Sequence, residues 1–213
     1  MYKQLILLFI TVVICSSCGC TAPNYIKYNF TYCYDGVDTG IDTLINIEGY
    51  YDVADNDVYP RLMFYKDGTY VEGFSYSYHK SIQSQFEEII NDKKKLKVFH
   101  NNVWGRYIIC GDTIKVQTVE RPGCGSMSPI WYLENIWYKV IDRNTIVGIF
   151  PSNNIIVYPS ALEENPYMIR YGTPAKFYPL SVRPNSDCFL KSEKWFWCNE
   201  ELYKQYKQTS KSR

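Results

Sequence analysis

Leu62-Met63-Phe64-Tyr65-Lys66-Asp67-Gly68-Thr69-Tyr70-Val71-Glu72-Gly73-Phe74 is the stretch that decides the fold of this chain. Two short apolar and aromatic runs flank an Asp-Gly step, an arrangement that specifies a tight antiparallel hairpin. The glycine stands where the turn needs positive φ, which is costly for any residue with a Cβ. It reads as a structural residue and not as part of a ligand loop.

Strand signals recur on both sides of this hairpin. Asn46 to Val53 precedes it, with Ile47, Tyr51 and Val53 on one phase. Val103 to Cys110 follows, then a turn at Gly111-Asp112 and a return from Thr113 to Val119. Trp131 to Ile141, a turn at Asp142-Arg143-Asn144, Thr145 to Phe150, and Asn154 to Tyr158 extend the series. About eight strands joined by short turns imply a mainly β fold, an antiparallel up-and-down meander or barrel. Arg121 to Pro129 is rich in Pro and Gly and reads as a loop.

Two segments carry a helical period instead. In Ser81 to Lys95 the residues Ile82, Phe86, Ile89 and Ile90 share a face, so one inserted helix is expected against an end or side of the sheet. Lys93-Lys94-Lys95 with Lys97 then reads as favourable charge at that helix's C-terminus, in preference to a phosphate site. Past Pro159, the residues Pro166, Pro174, Pro179 and Pro184 predict a segment that wraps the domain surface. Ser192 to Gln208 reads as a C-terminal helix, with Trp195, Cys198, Leu202 and Tyr206 roughly on one face against the barrel.

The N-terminus has a different character. Met1-Tyr2-Lys3-Gln4 leads into a run from Leu5 to Ile14, apolar but for Thr11, followed by Cys15-Ser16-Ser17-Cys18-Gly19-Cys20. One positive residue, a short greasy core and small residues make the layout of a cleaved secretory signal, residues 1–17. The run falls short of the about 20 residues that span a bilayer. The residues before Cys18 resemble the lipobox of bacterial lipoproteins, in which the cysteine is acylated. Cys18 fits best, Cys20 is the runner-up, and Cys15 stands where an aliphatic residue is usual. The expectation is a domain held to a membrane by a lipid on Cys18, with residues 18–45 as the lipidated N-terminus and tether.

Composition narrows the function. The 23 basic and 22 acidic residues come to balance once Lys3 leaves with the signal, so there is no electrostatic footprint for nucleic acid. The 21 tyrosines suit half-buried pleated surfaces, and exposed ones also suit sugars or an apolar cavity. Of eight cysteines, three sit in the signal region, which leaves Cys33, Cys110, Cys124, Cys188 and Cys198, an odd number. Cys110 with Cys124 and Cys188 with Cys198 are the expected pairs, and with no surviving CxxC no zinc site is expected.

Gly49-Tyr50-Tyr51, Phe64 to Tyr70, Trp104-Gly105-Arg106-Tyr107 and Gly111-Asp112-Thr113-Ile114 together resemble lipocalin-like lipoproteins of the Bacteroidota. The likeness covers Asn46 to Ile149, about half of the chain, and its motifs are mostly β-turn chemistry. It implies a small barrel, in some relatives with a cavity for an apolar ligand. Tyrosine replaces the first-strand tryptophan usual in lipocalins, and the 81–95 helix and the tail are additions. Asp42-Thr43-Leu44 and Asp112-Thr113-Ile114 also resemble O-glycosylation sites of that phylum.

No catalytic constellation is legible. His79 and His100 neighbour no nucleophile motif, and Gly-x-Ser-x-Gly, His-Glu-x-x-His and phosphate loops are missing. Glu87-Glu88, Glu163-Glu164 and Glu200-Glu201 are adjacent pairs that read as solvated faces, and Cys124 in Gly123-Cys124-Gly125 lacks a visible partner. No enzyme activity, metal or cofactor is expected. The domain division is 1–17 signal, 18–45 anchor and tether, 46–159 barrel, and 160–213 wrapping segment and helix. Two functions follow from this reading. One is a non-enzymatic interaction or structural module of the envelope with a protein partner. The other is a carrier for a small apolar or glycan-like ligand. With no aspartate or acidic run after Cys18, the periplasmic face of an outer membrane is the expected location.

Overall fold

The computed structural model of the chain describes residues 21–53, 61–74, 81–122, 130–149 and 172–211. It is mainly β: eight antiparallel strands run up and down in sequence order and close into a barrel. They are β1 (Gly49–Val53), β2 (Leu62–Phe64), β3 (Thr69–Glu72), β4 (Val103–Cys110), β5 (Thr113–Glu120), β6 (Tyr132–Asp142), β7 (Thr145–Ile149) and β8 (Pro174–Pro179).

Closure comes from β1 on β8, with Tyr51 opposite Phe177 and Gly49 opposite Pro179. This closing strand lies in the Pro-rich tail, so the barrel runs beyond the 46–159 span read from the sequence. Pro174 and Pro179 hid it. They sit at the two ends of β8, where a missing N–H does least damage to the ladder. The strand expected at Asn154 to Tyr158 lies outside the described residues.

Strand phase sorts the side chains into two cores. Inward, Tyr51, Leu62, Phe64, Tyr70, Tyr107, Ile114, Val116, Ile136, Tyr138 and Ile146 fill the lumen, none more than 3% exposed. Outward, Met63, Val71, Trp104, Val119 and Leu133 carry a second core, covered by helices and by both ends of the chain. Because β2 and β3 are buried on both faces, β2 is a continuous apolar run, and β3 buries even Thr69 and Glu72.

The covering layer departs from the sequence reading in three places. First, residues 21–45 are packed on the barrel and are not a free tether. Helix α1 (Asn24–Asn29) buries Ile26 completely, and Ala22, Phe30 and Tyr34 join the outer core.

Second, the helix read over 81–95 is two helices. Ser81 caps α2 (Ile82–Asn91) through the Ser84 amide, and the chain then turns extended at Asp92 (φ −116°, ψ 110°). Asp92 in turn caps α3 (Lys93–Phe99), accepting from the Lys94 and Lys95 amides. The lysine run therefore sits at a helix N-terminus, where its charge is unfavourable. The Asp92 carboxylate and the ion pair of Lys95 with Glu88 offset it.

Third, the C-terminal helix α4 (Glu200–Lys211) starts later than Ser192, with Asn199 Oδ1 accepting from the Leu202 amide. Trp195-Phe196-Trp197 precedes it in short 3-10 turns, and Phe196 is fully buried.

Candidate functional site

In a carrier, the ligand seat would be the lumen, so its filling matters most. The floor is a continuous aromatic cluster in which Phe64 meets Tyr51, Tyr70, Tyr107 and Tyr138 with ring centroids 5.1 to 6.1 Å apart. Ile41, Ile45 and Ile47 plug the end beneath it, each no more than 4% exposed. Arg143 fixes that plug by donating to the Asp42 and Thr43 carbonyls and to Asn46 Oδ1. Tyr51 and Tyr107 turn their hydroxyls to backbone carbonyls, Tyr51 to Asn46 and Arg143, and Tyr107 to Tyr65. Burial raises the pKa of both phenols, which therefore stay neutral donors.

The other end of the lumen is polar. Tyr70 Oη donates to Glu72 Oε2 at 2.8 Å and lies 2.9 Å from the Tyr138 hydroxyl. Glu72 and Thr118 are buried, and Glu134 shares their inward phase by its pairing with Thr118. Strands β1, β3, β5 and β7 all run towards this end. The lumen thus passes from an apolar floor to an end lined by buried hydroxyl and carboxylate groups.

Outside the barrel a clasp joins three distant pieces of chain. The carboxylate of Asp67, in the deciding hairpin, accepts from Lys191 Nζ at 2.8 Å, Ser186 Oγ at 2.6 Å and Tyr34 Oη at 3.0 Å. Its second oxygen takes the Thr69 amide and hydroxyl. Burial pushes the Asp67 carboxyl up, but the Lys191 ammonium and these hydrogen bonds outweigh it and hold the pKa at about 2. Arg106 completes the arrangement, donating to the carbonyls of Cys33 and Asp67 and to Asp35. Ser186 lies 2.9 Å from Lys191 Nζ, the geometry of a serine–lysine pair. The ammonium is committed to Asp67, however, so it cannot take the serine proton.

Gly68 belongs to the same clasp. Its φ is +84°, and a Cβ there would lie 1.0 Å from Arg106 Nη1. The hairpin glycine thus serves the turn and also leaves room for the guanidinium.

Most sequence-marked residues are dispersed. The expected Cys188–Cys198 bridge is overturned: Cys198 pairs with Cys33, and Cys188 is a buried free thiol. Alignment explains the pairing. Tyr34 exchanges backbone hydrogen bonds with Phe196 and Cys198, which sets the two chain ends side by side. Cys110 is free and exposed where β4 ends, and its expected partner Cys124 lies outside the described residues, as do Cys18, Cys20, His79 and Glu163-Glu164. His100 bonds Asn185, and Glu88, Glu200 and Glu201 are engaged by lysines. Among the described residues, no group of His, Cys, Asp and Glu is placed to hold a metal ion.

A groove of about 270 Å³ lies at the plugged end, between Ile45, Ile47, Phe177, Pro179 and the charged Asp42, Lys66 and Arg143. Lys66 pairs with Asp42, and Arg143 is spent on the plug, so its cations are already used. Sequence reasoning missed the clasp altogether, since nothing local marks Asp67, Ser186 and Lys191 as neighbours. No family model, curated protein or solved structure matches this chain.

Proposed function

We propose that this protein is a membrane-anchored lipoprotein of the cell envelope that acts as a non-enzymatic interaction or structural module. The observation that supports this best is the filled barrel. Ten large side chains occupy the described lumen, and a small apolar ligand would have to displace close-packed rings. The Cys33–Cys198 bridge supports export, because such bonds persist in oxidising compartments. The eight-stranded barrel also suits the resemblance to lipocalin-like lipoproteins.

Intact-mass measurement on protein taken from its own envelope, together with crosslinking in whole cells, tests this reading. A diacyl or triacyl addition on Cys18 and a crosslinked envelope protein are the expected results. An unmodified Cys18, or a monomer with no crosslinked partner, overturns it.

The polar end of the lumen favours one second reading. The hydroxyls of Tyr70 and Tyr138, with Glu72 and Thr118, suit a hydroxylated, glycan-like ligand better than an apolar one. A small noncovalent adduct in native mass spectra would favour that carrier over the interaction module.

A further inference from the structure

We infer that helix α1 lies against the lipid headgroups and holds the barrel with its polar end towards the membrane. The inference rests on the lipid anchor proposed for Cys18 and deepens it from attachment to orientation.

The chain leaves little freedom between anchor and fold. Ala22 is already buried in the outer core, four residues beyond Cys18. Four extended residues reach at most about 14 Å. An acyl chain on Cys18 therefore brings the start of α1 down to the headgroup layer, and Cys20 as anchor would bring it closer still.

The helix is built for that position. Ile26 faces the barrel and is fully buried, while Tyr28 faces outward at 81% exposure and Tyr25, at 36%, flanks it with its hydroxyl turned back to the barrel. Lys27 is exposed beside them. Tyrosine and lysine at one surface suit the interfacial zone, where a ring rests among headgroups and a polar tip stays wet.

Hydrogen bonds then fix the tilt. Tyr25 Oη donates to the Trp131 carbonyl, next to the start of β6, at 2.6 Å. At the other end of the helix Gln117 Nε2, in the middle of β5, donates to the Asn29 carbonyl. So α1 runs along the outer wall from the polar end of the barrel towards its middle. Its N-terminus, and with it the anchor, is at the polar end. The turns at Gly68, Gly111 and Asn144, and the groove beside Arg143, then point away from the lipid.

Hydroxyl-radical footprinting of the acylated full chain in phosphatidylcholine vesicles tests this. Tyr28 is twice as exposed as Tyr178, which sits on β8 away from α1, so it oxidises faster in the free protein. In vesicles the order should reverse, with Tyr28 protected at least about fivefold, and the full-length Cys18→Ala variant in solution should restore it. Faster oxidation of Tyr28 than Tyr178 in vesicles overturns the orientation while leaving the anchor standing. A mass lacking the acyl addition on Cys18 overturns anchor and orientation together.

Discussion

Replacing Asp67 by asparagine takes away the carboxylate on which the clasp converges and leaves Lys191 behind. The Lys191 side chain is 5% exposed and that of Asp67 22%, so solvent does little to screen the pair. Holding the carboxyl at about 2 against 3.8 in the unfolded chain corresponds to about 2–3 kcal/mol of stability at neutral pH. The variant also leaves a buried ammonium without its counter-charge, which brings the expected loss to about 3–5 kcal/mol. Urea unfolding should show a midpoint lower by about 1.5–2 M, with an unchanged slope.

The pH dependence carries a definite sign. A depressed folded pKa gives stability that is fully present above about 4 and lost as pH falls towards 2, so the wild type should weaken across that window. Asp67→Asn should lack this limb. The companion variant Asp67→Asn/Lys191→Met removes both charges and should recover most of the loss. A single-variant loss under about 1 kcal/mol, or a double variant as weak as the single one, would refute the stranded-charge argument.

Three further outcomes follow from the same geometry. In Gly49→Ala the new Cβ would lie 2.1 Å from the Tyr178 carbonyl and 2.8 Å from the Phe177 ring, so about 2–3 kcal/mol should be lost, with faster amide exchange along β1 and β8. Unchanged exchange there would count against the closing pair. Reducing Cys33–Cys198, which are 165 residues apart, should cost about 4–5 kcal/mol on the chain-entropy argument; an unshifted urea midpoint in reductant would contradict the bridge. Burial pushes the Cys188 thiol up to about 12, so peptide mapping after brief alkylation at pH 8 should find exposed Cys110 labelled and Cys188 labelled only on unfolding. Early labelling of Cys188 would place it outside the core.

What the sequence made legible follows the range of each interaction. The hairpin was readable because a turn is set by neighbouring residues, and Asp67-Gly68 states its φ requirement locally. Strands β4 to β7 were readable because alternation survives where one face is solvated. Helix α2 was readable by its period, but its end was not: Asp92 breaks the pattern by capping the next turn, a choice that periodicity does not record. The Cys33–Cys198 bridge, the β8 closure and the clasp join residues more than 100 positions apart. Their only trace was composition: aromatic content in excess of what a single-cored barrel needs.

That excess has a mechanical consequence for an anchored protein. Residues 21–34 and 188–198 lie on the outer wall, and the described segment nearest the proposed lipid is held there by Ile26, by the Thr31 and Tyr32 amides on Gln117 Oε1, and then by the covalent stop at Cys33. A pull exerted from the membrane would peel residues 21–32 at most before meeting the bridge to Cys198. Beyond it, Arg106 grips the Cys33 carbonyl and Tyr34 enters the Asp67 clasp, which passes the load to the β2–β3 hairpin and not to the β1–β8 seam. That seam closes the barrel through a six-residue strand with proline at both ends. On the anchored reading, the second core and the clasp therefore protect the closure of the barrel. A domain free in solution gains no such benefit from fastening its N-terminal segment this firmly.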